Sequence, residues 1–166
     1  MTSANNDGMD WIERAESLVE YHDEALEFVR RVGTQLPNDP LDAEAVCQLW
    51  TQADDLDETL CGLYDQMNER LLNGEGRIEV TRGADVAEGF GPEPALVYQC
   101  TWALEWCSDS NISIVLSIEP RSGALALAVA AARSEWAPLR VPLDEAQAKR
   151  ELGLAYYRAA TRGIAP

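Results

Sequence analysis

Between Leu96 and Trp106 the apolar residues fall on alternate positions: Leu96, Tyr98, Cys100, Trp102, Leu104 and Trp106. A period of two predicts a strand with one buried face, because the apolar residues of a helix return every three to four positions. The aromatic content of the segment agrees with that reading. On the opposite face Val97, Gln99, Thr101, Ala103 and Glu105 are expected to be half-solvated, as in an antiparallel sheet with one wet side.

Upstream the spacing is helical. Trp11, Ala15, Leu18, His22, Ala25, Val29 and Val32 alternate steps of four and three, Ile12, Val19 and Leu26 widen the stripe, and Glu13, Glu16, Glu20, Glu24 and Glu27 take the other face. Asp10 is the expected N-cap, with Glu13 as its box partner. A second helix starts from Asp39-Pro40 and carries Val46, Leu49, Ala53, Leu56, Leu60, Leu63 and Met67 to a stop at Asn73-Gly74. Its unusual length suits either one continuous helix or a helix broken at Asp54-Asp55, where Asp55 and Glu58 would recap a new helix. The short TQLPND connection makes the pair an antiparallel hairpin over residues 9–73. Residues 1–8, polar and aperiodic, read as a disordered tail.

After Arg77 alternation returns. Ile78 and Val80 mark a short strand, GADVAEGFGPEP reads as a loop, and Ile112 to Ile118 forms a further strand. Leu125, Leu127 and Val129 predict another, although the alanine-rich run at 124–132 also suits a helix, and Leu139 to Val141 adds an edge strand. Glu145 to Thr161 is helical, with Asp144 as N-cap and Gln147 as its box partner. The expected fold is therefore α+β. It comprises the N-terminal hairpin, an antiparallel meander of four to five strands over 77–142, and a C-terminal helix over 144–162 on one sheet face, in a single domain from 9 to 166.

Charge changes this picture. The chain has a net charge of −16. Residues 1–73 hold 17 acidic and 4 basic side chains, a balance of −13, whereas 74–166 hold 12 and 9, a balance of −3. An anionic first half disfavours nucleic acid and anionic membrane and favours a basic protein partner. Solubility, or adaptation to a salty cytoplasm, is the plainer explanation of the same charge. Lys149, Arg150, Arg158 and Arg162 make the last helix the most basic segment, and it is expected to lie against the acidic hairpin. The N-terminus has neither the basic nor the apolar region of a signal peptide, and no apolar run is long enough to span a bilayer, so a cytoplasmic location is expected.

Candidate chemistry is thin. His22 is the single histidine and sits in the helical stripe, where a core role is expected; Cys47, Cys61, Cys100 and Cys107 have no metal-ligand spacing and should be reduced thiols. Asp54, Asp55, Asp57 and Glu58 invite a cation but lack the EF-hand spacing and its glycine. Neither GEGR nor EGFGPEP has the spacing of a phosphate loop, and no nucleophile turn of the GxSxG type occurs. No catalytic residue, metal or cofactor is expected.

The aromatic side chains are the remaining lead. Trp102, Trp106, Tyr98, Trp136 and Trp11 are the candidate binding residues, weighed against the simpler role of filling the core between sheet and helices. The leading expectation is a non-enzymatic interaction protein, adaptor, chaperone-like or inhibitory, that offers an acidic helical surface to a basic partner. A homodimer is a further candidate. The alternative is a small-molecule-binding domain with an aromatic pocket between sheet and helices.

Overall fold

The computed structural model describes residues 11–32, 42–89, 92, 94–107 and 110–161. Two helices, α1 (Trp11–Val32) and α2 (Asp42–Leu71), are followed by β1 (Arg77–Ala87), β2 (Ala95–Cys107), β3 (Ser110–Ile118), β4 (Leu125–Ala131) and β5 (Ala137–Leu139), then α3 (Glu145–Thr161). The strands form one antiparallel sheet in the order β1-β2-β3-β4-β5, so each pairs with its neighbour in sequence. This is the α+β meander that the alternation predicts. The expected tail at 1–8, the caps at Asp10 and Asp39 and the TQLPND connection lie outside the described residues.

The even-numbered face of β2 is the floor of the core. Tyr98, Cys100, Trp102 and Leu104 are buried there beside Ile112, Ile114, Leu116 and Ile118 of β3 and Leu127 and Val129 of β4. α2 covers β1 to β3 and α3 covers β3 to β5, both on this face. α1 packs on α2 and runs against it: Arg14 meets Gln52 and Asp55, Tyr21 meets Asp54, and later residues of α1 meet earlier ones of α2. Among the described residues no helix packs on the other sheet face. Gln99, Thr101, Ala103 and Glu105 are half-buried on it, whereas Val97 is buried.

Polar tethers fix α2 over the strands. The Tyr64 hydroxyl, fully buried, lies within hydrogen-bond distance of the carbonyls of Trp102 (3.1 Å) and Ile112 (2.9 Å), bridging β2 and β3. Tyr98 donates its hydroxyl to Asp42 at the start of α2 (3.0 Å), and the Trp102 indole donates to Asp57 (2.9 Å). At its far end α2 closes on Asn73 and Gly74, both at positive φ, and the Asn68 carboxamide accepts from Gly76 N–H at 2.7 Å and donates to its carbonyl at 3.1 Å. A Cβ on Gly76 would stand 2.7 Å from Asn68 Oδ1 and 2.8 Å from a Leu72 methyl, so a larger residue there would displace both side chains and disturb the Asn68 hydrogen bonds.

Two open alternatives are resolved and three expectations are corrected. α2 is unbroken over 30 residues, about 45 Å at 1.5 Å per residue, because Asp54 and Asp55 serve Tyr21 and Arg14 instead of recapping a helix. β1 is not a short strand followed by a loop from Gly83. It runs to Ala87 because the long β2 offers Gln99 to Ala95 as pairing partners. The alanine-rich segment is strand β4, and the edge strand is Ala137–Leu139, two residues earlier than its alternation suggests. Finally, α3 packs on the sheet, and its ion pairs are local, Lys149 with Glu145 and Arg150 with Glu151. No ion pair joins it to the hairpin among the described residues, and Arg162 lies outside them. Its cap is half as expected: Asp144 accepts from Gln147 N–H at 3.2 Å, but the Gln147 side chain turns to β5 and accepts from Arg140 N–H at 2.9 Å.

The turn between β3 and β4 is organised by a buried carboxylate. Glu119 accepts from the backbone N–H groups of Arg121 (3.0 Å) and Ser122 (2.8 Å). Burial pushes its pKa up, but hydrogen bonds from Ser122 and Arg121 outweigh that and hold it below the usual value. The ionised form is favoured by folding, so its stabilisation is present above the unfolded pKa of about 4.3 and is lost as pH falls through the lower folded value.

Two predictions follow from these tethers. Tyr64→Phe should lower the free energy of urea unfolding by about 1 kcal/mol, and Tyr64→Ala by about 4, since the second also leaves a cavity. Glu119→Gln should destabilise the protein at pH 7, and the gap to the wild type should narrow below pH of about 4. A gap that stayed constant between neutral and acid pH would show that the carboxylate charge does not matter there.

Candidate interaction surface

The aromatic candidates do not converge. Trp102 is 1% exposed and Tyr98 0%, both within the core row, with Tyr98 also 6.0 Å from Phe28 of α1 by ring centroids. Trp106 is half-buried at the end of β2 and meets Tyr156 of α3 at 6.0 Å. Trp136 is exposed in the connection before β5. Trp11, at the start of α1, is 75% exposed. Two of the five candidates are therefore sealed in the core, and only Trp11 adjoins the acidic hairpin surface.

The helix stripe is where sequence and structure diverge. The buried side of α1 is Ala25, Phe28 and Val29, supported by the half-buried Leu18, Tyr21 and Val32, with the half-buried Leu26 at the border between this side and the hollow beside α2. His22 and Ala15, expected in the core, are exposed, and so are Trp11, Ile12 and Val19, the last at 76%. α1 thus has two apolar stripes and spends one on α2. The second lies along Ile12, Ala15, Val19 and Leu26, spaced three, four and seven, which places them on one side of the helix.

Two hollows follow this second stripe. One, of about 750 Å³, is lined by Trp11, Ile12, Ala15, Glu16, Val19 and Glu20. The next, of about 660 Å³, lies where α1 meets the start of α2 and is lined by Leu18, Val19, His22, Asp23, Leu26, Ala43, Glu44 and Cys47. They share Val19 and lie end to end along the second stripe, and together they make up the α1 groove. Exposed carboxylates border it throughout.

The hairpin is acidic on its outside. Glu13, Glu16, Glu20, Asp23, Glu24 and Glu27 of α1 are exposed, as are Glu44, Asp54, Asp57, Glu58, Asp65 and Glu69 of α2. Between described residues no ion pair engages any of these twelve; Arg14 pairs instead with the half-buried Asp55 at 3.1 Å. The acidic run of α2 is not a shared cation site, because its members face different partners. Asp54 accepts from Tyr21, Asp55 binds Arg14, and Asp57 accepts from the Trp102 indole. Among the described residues no three His, Cys, Asp or Glu side chains form a group that could hold a metal ion.

A smaller cavity of about 300 Å³ sits where α1, α2 and β1 meet, lined by Glu24, Glu27, Phe28, Arg31, Trp50 and Arg82. Arg82 reaches from β1 to lie 4.6 Å from the Trp50 ring centroid and 5.5 Å from that of Tyr21. Arg31 lies 5.5 Å over Phe28. The protein's own guanidinium groups therefore occupy the aromatic faces that a cationic ligand would use. Sequence reasoning missed Arg82, because nothing in the local pattern of an edge strand announces a partner on a distant helix.

The cysteines are free, and three are poor nucleophiles. Burial, reinforced at Cys61 by Asp57, pushes the Cys61 thiol up to about 11; burial does the same at Cys100, to about 11, and raises Cys47. At neutral pH all three are held as thiols.

Arg82 ties the edge strand to the hairpin, so its loss should be measurable. Arg82→Gln is expected to cost about 1 kcal/mol in urea unfolding. In the Trp50→Leu background the same change should cost close to nothing, and equal costs in the two backgrounds would show that the stacking carries no stability.

No protein-family model, no curated protein and no solved structure matches this chain.

Proposed function

We propose that this protein is a non-enzymatic interaction protein that offers the acidic outer face of its N-terminal hairpin to a basic protein partner. The observation that carries the reading is the set of twelve exposed carboxylates on α1 and α2, none in an ion pair with a described residue. Such a surface raises the local concentration of cationic partners and speeds their association. Solubility alone explains a high net charge, but it does not call for the apolar groove that runs between these carboxylates. An exposed apolar groove with a charged border is the common anatomy of a protein interface.

The alternative of a small-molecule pocket beneath the tryptophan row has less support, because Trp102 and Tyr98 are packed under α2 with their polar atoms satisfied by Asp57 and Asp42. An enzyme built on Cys47, Cys61 or Cys100 has less still, given their raised thiols. No described helix is long and apolar enough to cross a membrane.

The reading is tested by capture on the immobilised full chain from a lysate of its own source. Retained polypeptides should be basic and should elute as sodium chloride rises from about 0.05 to about 0.5 M, across which the screening length falls severalfold. Partners that are acidic, or that stay bound across this range, would contradict it.

A further inference from the structure

We infer that the groove along α1 is a seat for one amphipathic helix with basic flanks, about four turns long. The inference rests on the reading above and specifies its partner. Ile12, Ala15, Val19 and Leu26 span fourteen residue steps, about 21 Å of helix, and Cys47 of α2 closes one wall. An apolar ladder of this periodicity is matched by a helix whose own apolar residues recur at three, four and seven. An extended strand presents alternate residues and would leave half of the ladder uncovered.

Charge decides between possible occupants. Glu16, Glu20 and Asp23 line one rim and Glu44 the other. A second copy of this chain, laid stripe to stripe, would bring the same carboxylates face to face and double a net charge of −16. An anionic bilayer meets the same repulsion. Lysine or arginine on the flanks of an apolar ladder converts that rim into a set of attractive pairs, and their desolvation at the groove edge sets the register.

The test uses the full chain and three synthetic 18-residue peptides with a common fluorescent label, read by anisotropy at low salt. One has a leucine ladder flanked by lysine, the second has the same composition with the ladder scrambled, and the third keeps the ladder but replaces lysine with glutamate. The first should bind at least about tenfold more tightly than either of the others. Val19→Glu, at an exposed position, should weaken it by about tenfold or more while leaving the melting temperature unchanged. The combined Glu16→Lys, Glu20→Lys and Asp23→Lys variant should bind the glutamate peptide instead.

If the scrambled lysine peptide binds as well as the amphipathic one and Val19→Glu has no effect, the groove is not the seat, although an acidic docking surface stands. If neither lysine peptide binds, both readings fall. If the wild type is dimeric by light scattering and Val19→Glu makes it monomeric, the occupant is a second copy and the inference is overturned.

Discussion

Tyr64, Trp102 and Tyr98 hold α2 on the sheet through polar atoms that burial would otherwise strand. A buried hydroxyl or indole N–H left without a partner costs about 1 to 3 kcal/mol, so each aromatic residue on this interface needs an acceptor in a fixed place. The acceptors come from both sides: strand carbonyls for Tyr64, and carboxylates of α2 for Tyr98 and Trp102. Asp42 and Asp57 lie fifteen residues apart on one helix, and their partners lie four apart on one strand. Satisfying both at once fixes the direction and the sliding position of α2 over β2. An unbroken α2 follows from this, since a kink at Asp54-Asp55 would move Asp57 relative to Asp42.

α1 packs on α2 with more apolar surface than that contact hides. It uses Ala25, Phe28 and Val29 against α2 and leaves Ile12, Ala15 and Val19 outside. Among the described residues the exposed carboxylates of the same helix are in no ion pair, whereas Arg77 pairs with Glu79 and Glu105, Lys149 with Glu145, and Arg82 lies on Trp50. Apolar surface and uncompensated charge therefore coincide on one helix, and that coincidence is what points to a partner.

Much of this fold is legible in the sequence because its strands alternate cleanly. From Tyr98 onward β2, and then β3, buries alternate residues, and few residues separate the two strands in sequence, so order and direction follow. The misjudged places are those where local pattern is ambiguous and tertiary contact decides. Helix α1 has apolar residues around more than half of its circumference, and only packing on α2 selects Phe28 over Trp11 and Val19. The second half of β1 contains Gly83 and Asp85, which look like loop residues until β2 supplies partners. Asp54 and Asp55 resemble a cap because the side chains that use them, Tyr21 and Arg14, lie on another helix. The tryptophans are ambiguous for the same reason: a large ring fits a core or an interface equally, and Trp102 and Trp11 differ in burial, not in local sequence.

The most direct test of the central claim is a backbone-amide chemical-shift titration of the isotope-labelled full chain with the lysine-flanked amphipathic peptide. Shifts confined to residues of α1 between Ile12 and Leu26 and to the start of α2 near Cys47 are the result this account predicts. Shifts concentrated on the helix-free face of the sheet, at Thr101, Val115 or Ala128, or along the unpaired edge of β1, would contradict it.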